Sequence, residues 1–244
     1  MTTKRTQRQS IELDAHGAEL VPGIVQLPAR GAPAAGVVLL HGFTSRKERM
    51  ADSIGQVLLE AGIATLAIDL PLHGQRRGEA DEVLRNPLAL VHKWKLAVRE
   101  ANAAISFLAS HPAVDAERLA IAGYSVGAFL ALAVAADNTL VRAVALAAGG
   151  DLPERTPFVS LVRAVADPRR AARALAGRPL LMINGRRDRT VTPAQALSLF
   201  EAARMPKEIR WYDGGHRLSD GAISEVAAWL ATQLGERADQ SRLA

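Results

Sequence analysis

The sequence predicts an α/β fold: a doubly wound, mostly parallel sheet flanked by helices, with a small cap insertion. Three observations carry this. Short apolar runs without polar alternation recur, as in V-V-L-L at 37–40, I-A-T-L-A-I at 63–68 and V-R-A-V-A-L-A at 141–147. Such runs belong to strands buried on both faces. Helix-length stretches separate them, so right-handed crossovers join the strands. The 244 residues are 49% hydrophobic, enough for one large core without metal or disulfide staples.

In chain order, residues 11–13 and 23–27 are expected to add an antiparallel edge. Residues 37–40 form the first buried strand and end at His41-Gly42. Helical spacing over 54–61 stops at Gly62, a C′ glycine. Residues 63–68 are the second buried strand. An amphipathic helix covers 88–110 and is stopped by His111-Pro112. The third strand is 118–122, followed by a helix over 125–136 and a fourth strand over 141–147. The fifth strand is 179–184, and a helix over 193–205 opens on Thr192 as N-cap with Pro193 at N1. The sixth strand is 208–212, and Ser219 caps a last helix over 219–234.

Residues 151–177 break this rhythm. They carry Pro153, Pro157 and Pro168 and are longer than an ordinary connection, so they are expected to form the cap. The expected organisation is a single domain over 10–234, with flexible tails at 1–9 and 235–244.

Composition narrows the chemistry. There is no cysteine, which excludes disulfides, thiolate catalysis and Cys-ligated zinc. The first ten residues, M-T-T-K-R-T-Q-R-Q-S, lack the apolar core of a secretory signal. No stretch reaches the roughly 18 apolar residues of a membrane span. A cytoplasmic protein without a membrane partner is expected. The net charge is +5, but the basic residues are interleaved with acids, as in Arg46-Lys47-Glu48-Arg49, and aromatics are only 4%. That pattern argues against a nucleic-acid partner. Monomer and homodimer are both compatible with it. Phosphate-cradling G-x-x-x-x-G-K-[ST], zinc-binding H-E-x-x-H and dinucleotide-binding G-x-G-x-x-G motifs are absent, so no cofactor and no metal are expected.

One stretch carries the chemistry: L-A-I-A-G-Y-S-V-G-A-F-L-A-L-A at 119–133. A G-x-S-x-G between a buried strand and a buried helix is a nucleophile elbow. The turn forces Ser125 into a strained backbone and exposes its Oγ at the carboxyl end of the sheet. Gly123 and Gly127 are needed because strand and helix run too close for a Cβ. A serine hydroxyl needs a base. Of six histidines, His216 follows the last strand in a glycine-rich loop, W-Y-D-G-G-H-R-L, from which it can reach Ser125. The base needs an acid. Asp188 follows the fifth strand and completes the chain order Ser, Asp, His. Asp151, after the fourth strand, remains an alternative, and Asp213 is too near His216 in sequence. The amide of Val126 and that of Phe43, in the loop after the first buried strand, are the expected oxyanion donors. His41 and Gly42 are expected to order that loop. Tyr124, Arg46, Arg76 and Phe158 are expected near the substrate, the arginines drawing in anionic groups.

Leu40-His41-Gly42-Phe43, Asp69-Leu70-Pro71-Leu72-His73-Gly74, Gly123-Tyr124-Ser125-Val126-Gly127, Asn184-Gly185-Arg186-Arg187-Asp188 and Gly215-His216 together resemble the marks of the α/β-hydrolase superfamily, over about residues 20–235. The chain looks most like small bacterial serine esterases of the dienelactone-hydrolase-like kind. The resemblance implies a triad of Ser125, Asp188 and His216, an oxyanion hole from Phe43 and Val126, no cofactor, and a small-molecule ester substrate with a short to medium acyl chain. Dienelactone hydrolases proper usually carry a cysteine nucleophile, and this chain departs from them in having serine. An acyltransferase, a peptidase, a C–C bond hydrolase or a non-catalytic binding protein on the same fold are the alternatives.

Overall fold

The structure is a computed structural model and describes residues 6–17, 19–29, 31–76, 86–153 and 159–235. Its centre is an eight-stranded sheet of order β1-β2-β4-β3-β5-β6-β7-β8. The strands are β1 (Gln7–Leu13), β2 (Val21–Leu27), β3 (Ala34–Leu40), β4 (Ala64–Ile68), β5 (Val114–Tyr124), β6 (Val141–Ala147), β7 (Leu180–Gly185) and β8 (Lys207–Tyr212). β1 and β2 pair antiparallel, as do β2 and β4. All other pairs are parallel. β1 starts at Gln7, so ordered structure begins before the expected boundary at residue 10, because Gln7, Arg8 and Gln9 pair with Leu27, Gln26 and Val25.

The helices are α1 (Lys47–Met50), α2 (Gln56–Glu60), α3 (Pro87–Ser110), α4 (Val126–Asp137), α5 (Val159–Ala166), α6 (Pro168–Ala174), α7 (Pro193–Ala202) and α8 (Asp220–Gly235). A π-helical turn, Ala51–Gly55, joins α1 to α2, so this helical stretch starts seven residues before its expected start at residue 54. Gly55 sits in that turn, where a Cβ would come 2.7 Å from Gln26 Oε1 and 3.0 Å from a Leu39 methyl. α7 ends at Ala202, three residues before the expected end. Local signals set several boundaries. Asn86 caps α3 through Leu88 N–H and Ala89 N–H. Thr192 and Gln195 form a capping box at α7 with Pro193 behind it. The Ser219 hydroxyl accepts from Ala222 N–H at the start of α8. Gly62 ends α2 with φ +80°.

Each apolar strand splits by period two between two cores. On one face Val38, Leu40, Leu66, Ile121, Leu146 and Met182 pack with α3, α4, α6 and α7. On the other, Ala67, Ala120, Ala122, Ala143, Ala145 and Ala147 alternate with larger residues under α1, α2 and α8. Among the described residues, no helix is long and apolar enough to cross a membrane.

The order β4-β3-β5 places the site. β3 leads to β4 on one side, and the chain then crosses to β5 on the other. Strand order reverses there, and the carboxyl ends of β3 and β5 flank the crevice where open α/β sheets bind ligands.

Candidate active site

Ser125 stands between β5 and α4 with φ 54° and ψ −118°, a strained conformation for a residue with a Cβ. Neighbouring backbone holds it. Ser125 N–H donates to Ala147 C=O at 2.9 Å, and its C=O accepts from Ala128 N–H at 2.8 Å. A Cβ on Gly123 would overlap the Gly127 carbonyl, and one on Gly127 would overlap that of Leu40. The crossing therefore admits only glycine at both places.

The structure brings Ser125, His216 and Asp188 together. His216 Nε2 lies 2.9 Å from Ser125 Oγ, and His216 Nδ1 lies 2.7 Å from Asp188 Oδ2. The other Asp188 oxygen accepts from Thr190 N–H at 2.8 Å and Val191 N–H at 3.0 Å. With its side chain 0% exposed, that carboxylate has one orientation, and its free oxygen edge meets His216. The loops carrying these two residues are clamped: Arg186 N–H donates to Tyr212 C=O and Arg187 N–H to Gly214 C=O. A Cβ on Gly185 would overlap the Gly215 carbonyl.

The rival acids go elsewhere. Asp151 accepts from Arg163 and from the Ser198 hydroxyl, tying α5 to α7. Asp213 is exposed and pairs with Arg187 at 3.0 Å.

His41 is fully buried. Its Nδ1 lies 2.8 Å from Gly42 O, and its Nε2 accepts from Leu70 N–H at 3.1 Å. Burial lowers its pKa to about 4, so the ring is neutral and Nδ1 carries the proton. The Gly42 carbonyl also accepts from Ser45 N–H. The Phe43 amide belongs to that same planar peptide and points opposite to the carbonyl. Two bonds on the Gly42 oxygen thus fix the direction of the Phe43 N–H. Gly42 abuts the elbow, since a Cβ there would come 3.3 Å from Ser125 Cβ and 2.8 Å from the Tyr124 ring. Val126 opens α4, where first-turn amides lack intrahelical partners.

Three substrate-binding expectations are corrected. Arg76 is held by Glu100 at 2.6 Å and Glu19 at 3.5 Å with its side chain 7% exposed; it is a buried structural ion pair. Arg46 is exposed beside Glu48 and does not line the cavity at Ser125. Tyr124 points its hydroxyl to the His216 carbonyl at 3.0 Å and so supports the histidine loop. Its pKa is raised by burial and by the Asp188 charge, which keeps the phenol a donor. Phe158 lies outside the described residues.

Two residues at the site, Trp94 and Phe129, carried no legible signal. A cavity of about 480 Å³ opens at Ser125, walled by Trp94 of α3, Phe129 of α4, and Leu161 and Val162 of α5. Trp94 and Phe129 sit in amphipathic or apolar helices, where an aromatic reads as ordinary core.

This fold, with a serine at the elbow after β5, is that of the α/β hydrolases. The chain belongs to the dienelactone hydrolase family, whose sequence profile matches residues 21–219. Its structure is similar to that of TT1662 from Thermus thermophilus (25% identity, 96% of this chain and 100% of that one, TM-score 0.77). It shares the fold of an acetyl xylan esterase from Paenibacillus sp. R4 (18% identity, 95% and 85%, TM-score 0.76). A stretch of 108 residues is 32% identical to polyketide transferase ATR5 of Stachybotrys chlorohalonatus. That stretch is 44% of this chain and spans about a third, 34%, of the curated relative.

Proposed function

We propose that the protein is a serine carboxylesterase that cleaves esters of short to medium acyl chains through an acyl-enzyme on Ser125. The observation that carries this reading is the unbroken Asp188–His216–Ser125 chain of 2.7 and 2.9 Å contacts at the mouth of an apolar cavity. Membership of the dienelactone hydrolase family supports it.

The chemistry follows from the donors and acceptors. His216 Nδ1–H donates to Asp188, which leaves Nε2 free to take the Ser125 proton. Oγ attacks the ester carbonyl. The oxyanion accepts from the Phe43 and Val126 amides, aided by the positive end of α4. His216 gives the proton to the leaving alcohol. Water then enters, His216 takes one of its protons, and the hydroxide attacks the acyl carbon. Collapse returns the proton to Ser125 and releases the acid.

The test compares wild type with Ser125→Ala on p-nitrophenyl acetate, butyrate and octanoate. Turnover by wild type and loss of about three orders of magnitude or more in the variant is the expected result. Equal rates in both would remove Ser125 from the reaction.

A second reading, acyl transfer to an acceptor other than water, is favoured by the 32% identity to a polyketide transferase. Product analysis in the presence of alcohols and amines separates the two. Transfer product dominating at millimolar acceptor would make the protein a transferase.

A further inference from the structure

Two apolar cavities meet at the elbow. The larger, about 480 Å³, holds Ser125 in its wall. The smaller, about 140 Å³, lies on the side of Phe43 and Leu70. Leu90, Trp94 and Val126 line both. Leu90 and Trp94 are four residues apart on α3 and share one helix face, so together they form the partition. Trp94 also lines a third cavity beyond Phe129, so its indole is bordered by space on several sides.

The charge pattern of the two linings is lopsided. Among the described residues, the larger cavity is lined by no Lys, Arg, His, Asp or Glu. The smaller has only Lys93 and His73.

The geometry points to a two-chamber site for uncharged esters that are apolar on both sides of the scissile carbonyl, with Trp94 as the partition that sets how large each side can be. The inference rests on the ester hydrolysis proposed above and names its substrate class. With the carbonyl carbon at Ser125 Oγ and its oxygen at Val126, the two substituents diverge into the two chambers. The longer one takes the larger chamber. A carboxylate there would lose its hydration and find no cation among the described residues, which is costly. A methylene there gains about fourfold in binding of the transition state.

The experiment measures kcat/KM for neutral esters with acyl chains from two to twelve carbons, and for matched esters ending in a carboxylate. Both series are run on wild type, Trp94→Ala and Trp94→Phe. A parallel series of alkyl fluorophosphonates of the same lengths reads the chamber from labelling rates alone. In wild type, kcat/KM is expected to climb about fourfold per methylene up to a sharp optimum. The carboxylate analogue is expected to be about a hundredfold poorer. Trp94→Ala is expected to change the ratio of long-chain to short-chain kcat/KM by about tenfold or more, in both hydrolysis and labelling, with Trp94→Phe in between. Should Trp94→Ala fail to fold, the Trp94→Phe ratio carries the test alone. An unchanged ratio in a folded variant, or a preferred carboxylate ester, overturns the two-chamber site while leaving esterase activity standing. Absence of both turnover and Ser125 labelling in wild type overturns the hydrolysis itself, and the chambers with it.

Discussion

The Tyr124 hydroxyl donates to the His216 backbone carbonyl at 3.0 Å, and the two rings lie 5.3 Å apart. The residue before the elbow serine thus holds the loop that presents the histidine. Tyr212, its phenol pushed up to about 12 by burial and then by the Asp188 charge, anchors the same loop through Gly215 C=O at 2.8 Å. Tyr124→Phe removes one neutral hydrogen bond, worth about 1 kcal/mol. The expected outcome is a kcat reduced by roughly three- to tenfold, with KM nearly unchanged and a melting temperature lower by about 2–4 °C. A loss confined to KM would place Tyr124 against substrate instead.

Asp188 offers one oxygen to two backbone amides and the other to His216. Asp188→Asn keeps the shape but can present an N–H to Nδ1, which favours the wrong histidine tautomer. A fall in kcat of about 10³ to 10⁴ is expected on p-nitrophenyl butyrate. Asp151→Asn serves as the control and is expected to retain activity within about tenfold, since Asp151 bonds Arg163 and Ser198. The reverse ranking in steady-state kinetics would exchange their roles.

The positive φ of Ser125 is stored strain. Glycine adopts that backbone freely, and alanine does not. Ser125→Gly and Ser125→Ala are both expected to abolish the proposed hydrolysis, and the glycine variant is expected to be more stable than the alanine variant by about 1 kcal/mol. Urea denaturation of the pair checks this, and equal midpoints would show a relaxed elbow.

Acid sensitivity has a defined source in His41. Its folded pKa of about 4 lies below the ordinary value of 6.5, so the unfolded chain takes up the proton first as pH falls. The stability held by the neutral ring is therefore complete above pH 6.5 and lost on the way to about 4, a change of about 3 kcal/mol. Asp69 adds a second, more acidic window. Burial pushes its carboxyl up, but hydrogen bonds from Gln75 and Lys47 outweigh this and hold it low, so its contribution is present above the ordinary carboxylate pKa and lost below it. Urea midpoints should stay level from pH 7.5 to about 6.5 and then fall toward pH 4 in wild type, and fall less steeply in His41→Gln. Parallel slopes would acquit His41.

Much of this molecule was legible from local rules. Unalternated apolar runs marked five of the six parallel strands, β8 with its K-E-I-R-W-Y being mixed, and Gly62, Thr192-Pro193 and Ser219 marked helix ends, because caps and turns are decided by a few adjacent residues. Ser125, Asp188 and His216 could be picked out because each sits just after a strand of the parallel sheet. In a parallel sheet every such position lies on the same edge. Choosing Asp188 over Asp151 needed the tertiary structure, since the two occupy equivalent positions after neighbouring strands and only the packing shows which faces His216. The same holds for Arg76, whose burial against Glu100 depends on α3 crossing a loop 24 residues away in sequence. It holds for the cavity too. Leu90, Trp94 and Phe129 have the spacing of core residues, and whether such a face meets another side chain or an empty volume depends on how helices from distant parts of the chain come together.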